Sequence, residues 1–403
     1  MKYLSEYKKI IGNEKINKIV EKASPLTERH FVHINSTHYG GGVAEILNSL
    51  VYLMNDIGLK TGWRVIKGTP DFFEITKKFH NAMHGEEINL TPIKKKIHQE
   101  TNRKNAFIHH IENHDYVIVH DPQPLPLINY YKKNHSWIWR FHLDSTKPNM
   151  EVWNYLRKFI EKYDEVIFSH KKYIQKLNVP TNIIHPSIDP LNEKNKEIKE
   201  SKCDRFLSKR GIDSDKPIIS MISRFDKWKD FPGMIQSFKE IQKETDCKIV
   251  LLGNTADDDP EGKMIYDKIK KLVNGNDSIT LLTENNNFLV NALQRKSKIV
   301  FQRSIKEGFA LTVSEALWKE TPVIASNVGG IPLQVINNKT GFLVNNNREC
   351  TKKAVKLLKN EKLRKKLGKQ GKEHVRKNFL ITRHLENYLD LFKKMELKKL
   401  KQK

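Results

Sequence analysis

The chain has 403 residues, 38% of them hydrophobic, and its 72 lysines and arginines against 47 acidic residues give a formal net charge of +25. This length exceeds what one hydrophobic core ordinarily supports, so we expect two domains. No apolar run approaches the roughly 18 to 20 residues that span a bilayer, and no apolar stretch near the N-terminus precedes a cleavage site. The three cysteines are widely spaced and predict neither a disulfide framework nor a metal site. We therefore expect a cytoplasmic protein.

The excess positive charge would attract anionic ligands, and nucleic acid, an anionic membrane and a sugar nucleotide are the candidates. Because the lysines are spread along the whole chain, we favour a solvated basic surface and expect no nucleic-acid partner. The densest basic stretch, 391–403, is compatible with weak peripheral membrane contact but fits a frayed helical end better. We expect no stable membrane insertion, and a homodimer is left open.

In chain order, the first half alternates short apolar strands with helical segments. A glycine loop at 40–42 and helical apolar spacing from Val43 to Met54 follow the first strand, as at the start of an α/β unit. Because ligands bind beyond the carboxyl ends of strands in parallel sheets, polar residues there are candidates for the site. The predicted strands are 31–35, 63–66, 116–120, 137–142 and 165–169.

Residues 183–216 predict an interdomain linker followed by a surface helix, and the strand pattern then restarts. This second alternation predicts a second doubly wound α/β domain, closed by an amphipathic helix over 378–392. The predicted strands are 217–223, 247–252, 278–282, 299–302 and 322–325.

Glu307 and Glu315 lie eight residues apart, after a strand and at the predicted start of a helix. A helix N-terminus suits phosphate or sugar oxygens, and a glutamate at either position, on nearly the same helix face, could accept two hydrogen bonds from a sugar diol. The alternative is that Glu307 caps the helix and Glu315 is an ordinary surface residue.

Arg224 and Lys229 directly follow another strand. Two cations at a strand end can neutralise a diphosphate and stabilise charge on a leaving nucleotide, although a solvated basic loop is an equal alternative.

Four further features are individually weak. Gly40–Gly42 permits close backbone approach to a ligand or merely forms a tight turn. His142 could bind a sugar hydroxyl, transfer a proton or be structural, and Asp121 could accept an acceptor proton or cap the next helix. The run 257–259 of three aspartates predicts a loop and helix start, not a metal site.

Taken together, these elements resemble the large family of retaining glycosyltransferases that includes sucrose and glycogen synthases, and the order matches over nearly the whole chain. The trehalose-forming branch of that family is more similar still. The stretches that carry this closer resemblance are 33–37, 40–47, 72–82, 120–124, 137–142, 186–190, 223–226, 258–262 and 311–318.

The resemblance implies an α/β protein of the GT-B fold, with two Rossmann-like doubly wound domains facing a cleft. It implies an acceptor-side domain over 1–185, a donor domain over 186–379, and a C-terminal helix, 380–398, that packs back on the first. It implies a nucleoside diphosphate glucose such as uridine or adenosine diphosphate glucose as co-substrate, a small sugar as acceptor, no cofactor and no obligatory metal.

The resemblance also implies roles for individual residues. Arg224 and Lys229 would bind the donor diphosphate, and Glu315 the nucleotide ribose. Glu307 and the backbone of Phe309, Ala310 and Leu311 would hold the transferred glucose and phosphate, with Gly41 and Gly42 approaching from the first domain. His142 would contact the donor sugar, and Asp121, His80 and Asn81 would lie toward the acceptor.

The chain departs from the family pattern at three positions. Ala310 stands where glycine is usual and Lys306 where arginine is common. Gln334 stands where glutamate is frequent, although the resemblance to the trehalose-forming branch implies glutamine there.

The implied reaction is reversible glucosyl transfer to free glucose, giving trehalose with retained configuration by same-face attack in which the leaving phosphate helps to remove the acceptor proton. The alternatives are a lipid or polysaccharide acceptor on the same fold, a trehalose phosphorylase, and, in another class, a basic nucleic-acid-binding protein.

Overall fold

The structure, a computed structural model, describes residues 2–253 and 262–402. The three aspartates at 257–259 and most of the stretch 258–262 lie outside these residues. The chain divides into two compact units. The first unit extends to Ser187 and includes the segment from Ile381 onward, and the second unit extends from Ile188 to Leu380.

The first unit is built on a six-stranded parallel sheet with the strand order β2-β1-β3-β4-β5-β6. Its strands are β1 (His30–Asn35), β2 (Lys60–Val65), β3 (Tyr116–His120), β4 (Ser136–Phe141), β5 (Glu165–Phe168) and β6 (Thr181–Ile183). Its helices are α1 (Lys8–Ile11), α2 (Asn13–Ala23), α3 (Gly42–Asp56), α4 (Pro70–Met83), α5 (Pro92–His109), α6 (Met150–Ile160) and the last helix of the chain, Ile381–Gln402, with short 3-10 turns at Leu4–Tyr7, Ser24–Leu26, Leu125–Tyr130 and Lys171–Tyr173.

The second unit repeats this plan with a parallel sheet in the order β12-β11-β10-β7-β8-β9. Its strands are β7 (Ile218–Ile222), β8 (Lys248–Gly253), β9 (Ile279–Thr283), β10 (Ile299–Gln302), β11 (Val323–Ser326) and β12 (Gly341–Val344). Its helices are α7 (Glu200–Ser208), α8 (Phe231–Gln242), α9 (Gly262–Val273), α10 (Asn287–Lys296), α11 (Leu311–Trp318), α12 (Ile331–Gln334), α13 (Asn347–Leu358) and α14 (Glu361–Asn378); the last helix of the chain is α15.

The central strands are apolar on both faces because helices cover both, as parallel sheets require. In β1, Val32 and Ile34 enter a core with residues of α4 and α6, while Phe31 on the opposite face stacks on Tyr116 at 5.0 Å between ring centroids. Phe392 of α15 packs on that pair, 4.7 Å from Phe31. Burying each such ring contributes about 1.5 to 3 kcal/mol.

Helix α15 covers the first unit with a stripe of apolar residues at helical spacing: Leu385, Tyr388, Leu389, Phe392 and Met395 are all at most 5% exposed. The predicted helix over 378–392 is displaced, because α14 ends at Asn378 and α15 begins at Ile381. The basic stretch 391–403 is helical to Gln402, as predicted, and Lys398 binds the buried carboxylate of Glu165 at 3.0 Å.

The prediction of two doubly wound parallel sheets is confirmed, but two edge strands were not predicted. Strand β6 has three residues without apolar alternation. Strand β12 begins with a glycine, which usually marks a turn. Gly341 is needed there because a Cβ atom would lie 2.3 Å from the carbonyl oxygen of Val323 on the neighbouring strand. Strand β2 also begins three residues before the predicted Trp63.

The three cysteines, Cys203, Cys247 and Cys350, are all buried and unoxidised. Among the helices described, none is both long enough and apolar enough to cross a bilayer.

Candidate active site

The two loops that carry the predicted donor residues run side by side in the second unit. They follow β7 and β10, which are neighbouring parallel strands, so both loops leave the same edge of the sheet. The amide of Ile305 donates to the carbonyl of Trp228 at 2.8 Å, and Lys229 and Ser304 form an antiparallel bridge. The two loops are thereby joined through their backbones.

Lys229 and Glu307 form an ion pair between these loops, and their side chains are only 12% and 13% exposed. The same carboxylate oxygen lies 3.3 Å from the Ser304 hydroxyl and 3.4 Å from the Gln302 amide nitrogen. Charge-assisted contacts of this kind are stronger than neutral ones. The structure therefore brings Lys229 and Glu307 together and holds the ammonium group in a defined place.

Arg224 is the more exposed cation of the pair predicted to bind phosphate. Its side chain is 31% exposed and donates to Asp226 at 3.2 Å. Asp226 is 1% exposed and also accepts the Trp228 amide at 2.9 Å, which fixes the turn between the two cations.

The prediction that Glu307 opens a helix, in phase with Glu315, is wrong. Helix α11 begins only at Leu311, after Ala310 adopts a left-handed conformation with φ 70°. Left-handed backbone costs a non-glycine residue roughly 1 to 2 kcal/mol, which explains why glycine is usual at this position. Glu307 therefore lies in a loop and neither caps the helix nor shares a face with Glu315.

The segment between Glu307 and α11 is held from behind by α12. Gly330 packs so closely that a Cβ atom would lie 2.5 Å from the Gly308 carbonyl oxygen. The side-chain amide of Gln334 donates to the carbonyl of Phe309, and its oxygen accepts from Ser314 at 2.6 Å. The backbone that leads into the N-terminus of α11 is thus fixed at both ends.

Glu315 is buried in α11, so the alternative of an ordinary surface residue is wrong. It is 2% exposed; one oxygen lies 3.3 Å from the Gln294 amide nitrogen and the other 3.6 Å from the Lys194 ammonium. A buried carboxylate with two such partners is held in one orientation.

In the first unit, three histidines form a hydrogen-bonded chain that ends at His142. His33 Nδ1 lies 3.0 Å from His120 Nε2, and His120 Nδ1 lies 3.0 Å from His142 Nε2. Burial lowers the pKa of His33 to about 3 and holds the pKa of the other two well below the usual value, with neighbouring histidines and Arg140 adding to the effect. All three rings are therefore neutral.

Because each neutral ring carries one proton, the hydrogen bonds among the three histidines run in one direction. His33 Nε2 is buried without a hydrogen-bond partner among the described residues. An unpaired N–H is rarer in proteins than an unpaired acceptor, so we assign the proton of His33 to Nδ1. His120 then donates from Nδ1 to Nε2 of His142, and the remaining nitrogen of His142, Nδ1, carries a proton that it can donate.

Asp121 is adjacent to His142 in space. One carboxylate oxygen accepts the His142 amide at 2.8 Å, and the backbone of Asp121 is left-handed with φ 62°. It does not cap the next helical turn, Leu125–Tyr130, which has no side-chain cap. Asp121 instead fixes the backbone of His142, which directly follows β4.

The other predicted residues of the first unit lie at the start of α3 and in α4. Gly42 begins α3 and Gly41 precedes it; a Cβ atom on Gly41 would meet nothing within 4 Å, so the backbone there is open. His80 and Asn81 lie in α4, where Asn81 is 2% exposed and the His80 ring contacts His84 at 4.9 Å between centroids.

Four residues around these sites were not predicted: His33, His120, Gln294 and Lys319. His33 and His120 lie on one face of neighbouring strands, in line with His142. Because alternate residues of a strand point to the same face, the sequence already indicated this placement. Lys319 follows Glu315 by four residues and therefore lies on the same helix face. Gln294 has no local signal. Within 2–253 and 262–402, no group of three His, Cys, Asp or Glu side chains could hold a metal ion.

Comparisons with known proteins show which families this chain is similar to. Residues 33–175 match the family described as "Trehalose synthase, N-terminal domain", and residues 204–374 match "Glycosyl transferases group 1". The chain is 45% identical over 397 residues to the trehalose synthase of Thermococcus litoralis, covering 97% of this chain and 96% of that protein. It is 39% identical over 406 residues to the trehalose synthase of Rubrobacter xylanophilus, covering 98% and 97%.

Among solved structures, the sucrose-phosphate synthase of Thermosynechococcus elongatus matches with a TM-score of 0.73 at 16% identity, covering 92% of this chain and 100% of that chain. At this identity the match shows the GT-B fold alone.

Proposed function

Since the chain belongs to the trehalose synthase family of glycosyltransferases, we propose that it transfers glucose from a nucleoside diphosphate glucose to free glucose, forming trehalose with retained configuration. The observation that carries the proposal is the pair of joined loops after β7 and β10. They provide two cations, Arg224 and Lys229, beside the Glu307 carboxylate and the N-terminus of α11. This combination suits a diphosphate attached to a sugar.

In this proposal the second unit binds the donor. Arg224 and Lys229 neutralise the diphosphate and stabilise the charge that develops on it as the glycosidic bond breaks. The free amide groups at the start of α11, from Phe309 to Leu311, bind phosphate or sugar oxygens, and Glu315 accepts hydrogen bonds from the ribose diol.

The contacts of Glu307 support a binding role over a nucleophilic one. Its carboxylate is already neutralised by Lys229 and approached by Ser304 and Gln302, which lowers its reactivity towards an anomeric carbon. Retention through two displacements needs a free carboxylate nucleophile. We therefore propose same-face attack, in which the leaving phosphate takes the acceptor proton and catalysis rests on positioning and charge stabilisation.

The first unit contributes hydrogen bonds to the sugars. His142 donates from Nδ1 to a hydroxyl of the transferred glucose. Its ring is neutral, and the direction of the hydrogen bonds among the three histidines leaves its proton on Nδ1, the nitrogen that does not contact His120. The open backbone at Gly41 and Gly42 approaches the donor, and Asp121, His80 and Asn81 lie toward the acceptor. We propose no cofactor and no obligatory metal.

Product analysis tests the proposal. Purified protein is incubated with glucose and, separately, with uridine, adenosine and guanosine diphosphate glucose. We expect trehalose and one equivalent of free nucleoside diphosphate from at least one donor. Intact donor, or donor hydrolysis without a disaccharide, would exclude glucose as the acceptor.

A further inference from the structure

A buried polar cluster lies directly behind the Glu315 carboxylate in the second unit. Lys319, at the end of α11, is 8% exposed. Its Nζ lies 2.8 Å from Gln294 Oε1, 2.8 Å from Asn195 Oδ1 and 3.1 Å from the Glu315 carbonyl oxygen. Gln294 and Asn195 are at most 1% exposed. The proposed reaction as described so far has no role for this lysine.

The lysine decides which way the Gln294 amide faces. An ammonium group only donates hydrogen bonds, so Gln294 must turn its oxygen to Lys319 and its NH2 group to Glu315, 3.3 Å away. A flipped amide would place donor against donor at Lys319 and oxygen against oxygen at Glu315. The charge of Lys319 therefore sets the orientation of the Glu315 carboxylate through one intervening side chain.

We propose that Lys319 is a positioning residue for nucleotide recognition, which through Gln294 holds the Glu315 carboxylate ready to accept hydrogen bonds from the 2′ and 3′ hydroxyls of the donor ribose. The inference rests on the proposed function. Lys319 contacts no substrate, so its loss removes discrimination for the ribose diol and leaves the contacts of the diphosphate in place.

The cluster also makes ribose recognition dependent on pH. Burial lowers the pKa of Lys319 to about 7; among the charged groups that face it, Arg295 and Lys194 lower the pKa further, while Glu315 and Glu197 raise it. Below pH 7 the ammonium donates to all three acceptors. Above pH 7 the neutral amine turns a lone pair toward one of them, so the preference for the ribose diol falls as pH rises.

The test compares binding of each nucleoside diphosphate with binding of its 2′,3′-dideoxy counterpart by calorimetry. Both ligands carry the same diphosphate, so the ratio of their dissociation constants isolates the diol. In the unchanged protein at pH 6 we expect the ribose form to bind at least about tenfold more tightly, the scale of a lost hydrogen bond to a charged group. In Lys319→Met we expect a ratio below about threefold, with the affinity for the dideoxy ligand unchanged.

Two further measurements protect the test against a folding defect in Lys319→Met. In the unchanged protein, the ratio should fall between pH 6 and pH 8.5. In Lys319→Arg, whose charge persists throughout this range, it should stay constant. A ratio in Lys319→Met equal to that of the unchanged protein overturns the positioning role, and a ratio independent of pH in the unchanged protein overturns the pH dependence. Absence of nucleoside diphosphate binding in the unchanged protein overturns the proposed function itself.

Discussion

The side chain of Gln334 donates a hydrogen bond to the carbonyl of Phe309 and thereby anchors the loop that leads into α11. Its amide oxygen simultaneously accepts from the Ser314 hydroxyl at 2.6 Å. One group that must both donate and accept can be an amide but not a carboxylate. These two contacts give a physical reason for glutamine at position 334.

Replacing Gln334 with glutamate should loosen this loop. A carboxylate would face the Phe309 carbonyl without a proton to share, leaving a buried acceptor unsatisfied at a cost of about 1 to 3 kcal/mol. We expect Gln334→Glu to weaken nucleoside diphosphate binding at least about tenfold at pH 7, measured by calorimetry. Gln334→Met is the control, because it removes both hydrogen bonds without adding charge, and it should weaken binding less than glutamate does.

Loss of either cation that we propose to bind the donor diphosphate should lower the turnover number. Arg224→Ala or Lys229→Ala should each lower kcat at least about a hundredfold, as does removal of a group that stabilises transition-state charge. Lys227→Ala is the matched control, since it removes a cation from the same loop, where the lysine packs 5.6 Å from the centre of the Trp228 ring. Steady-state kinetics that place all three variants within threefold of the unchanged protein would refute the assignment.

The middle histidine of the chain should matter although it contacts no substrate in the proposed reaction. Without His120, Nε2 of His142 loses its donor and the ring can place its proton on either nitrogen. We expect His120→Leu to lower kcat/KM roughly tenfold, about 1.4 kcal/mol, the scale of one hydrogen bond. His33→Leu, at the far end of the three histidines, should lower kcat/KM less. An equal loss in both variants would argue that the direction of the hydrogen bonds among the histidines has no role.

The buried histidines should make the free energy of unfolding depend on pH. Burial lowers the pKa of His384 to about 3, as it does for His33, while the unfolded chain keeps values near 6.5. Between these values the unfolded state binds more protons than the folded state. Each such histidine therefore contributes stability that is complete above about pH 6.5 and is lost, by about 1.4 kcal/mol per pH unit, as pH falls toward 3.

The measurement is the free energy of unfolding in urea between pH 4.5 and 7.5. His384→Asn is the informative variant, because asparagine can still donate to the His185 carbonyl, which His384 Nδ1 contacts at 2.8 Å, but does not titrate. Below about pH 6 we expect the free energy of unfolding of this variant to depend on pH less steeply, by about 1.4 kcal/mol per pH unit. An unchanged slope would mean that His384 is protonated in the folded protein.

The fold could be predicted from the sequence because the strands of both sheets are short apolar runs with helical segments between them, and local spacing reveals this pattern. Prediction failed where local spacing carries no information. Glu307 was placed on a helix because nothing in the sequence indicates that Ala310 is left-handed. Gln294 and Glu315 meet only after α10 and α11 pack together, and this contact depends on tertiary structure that no motif encodes.

The last helix of the chain completes the first unit, and this has a consequence for synthesis on the ribosome. Phe31 and Tyr116 are covered by Phe392, which follows the end of the first unit's continuous segment, Ser187, by about 200 residues. At typical elongation rates that interval lasts roughly 10 to 40 seconds. Throughout this interval the aromatic face of the nascent sheet is not covered by the last helix. The second unit can therefore finish folding before the first, and the uncovered face is a surface that molecular chaperones can bind.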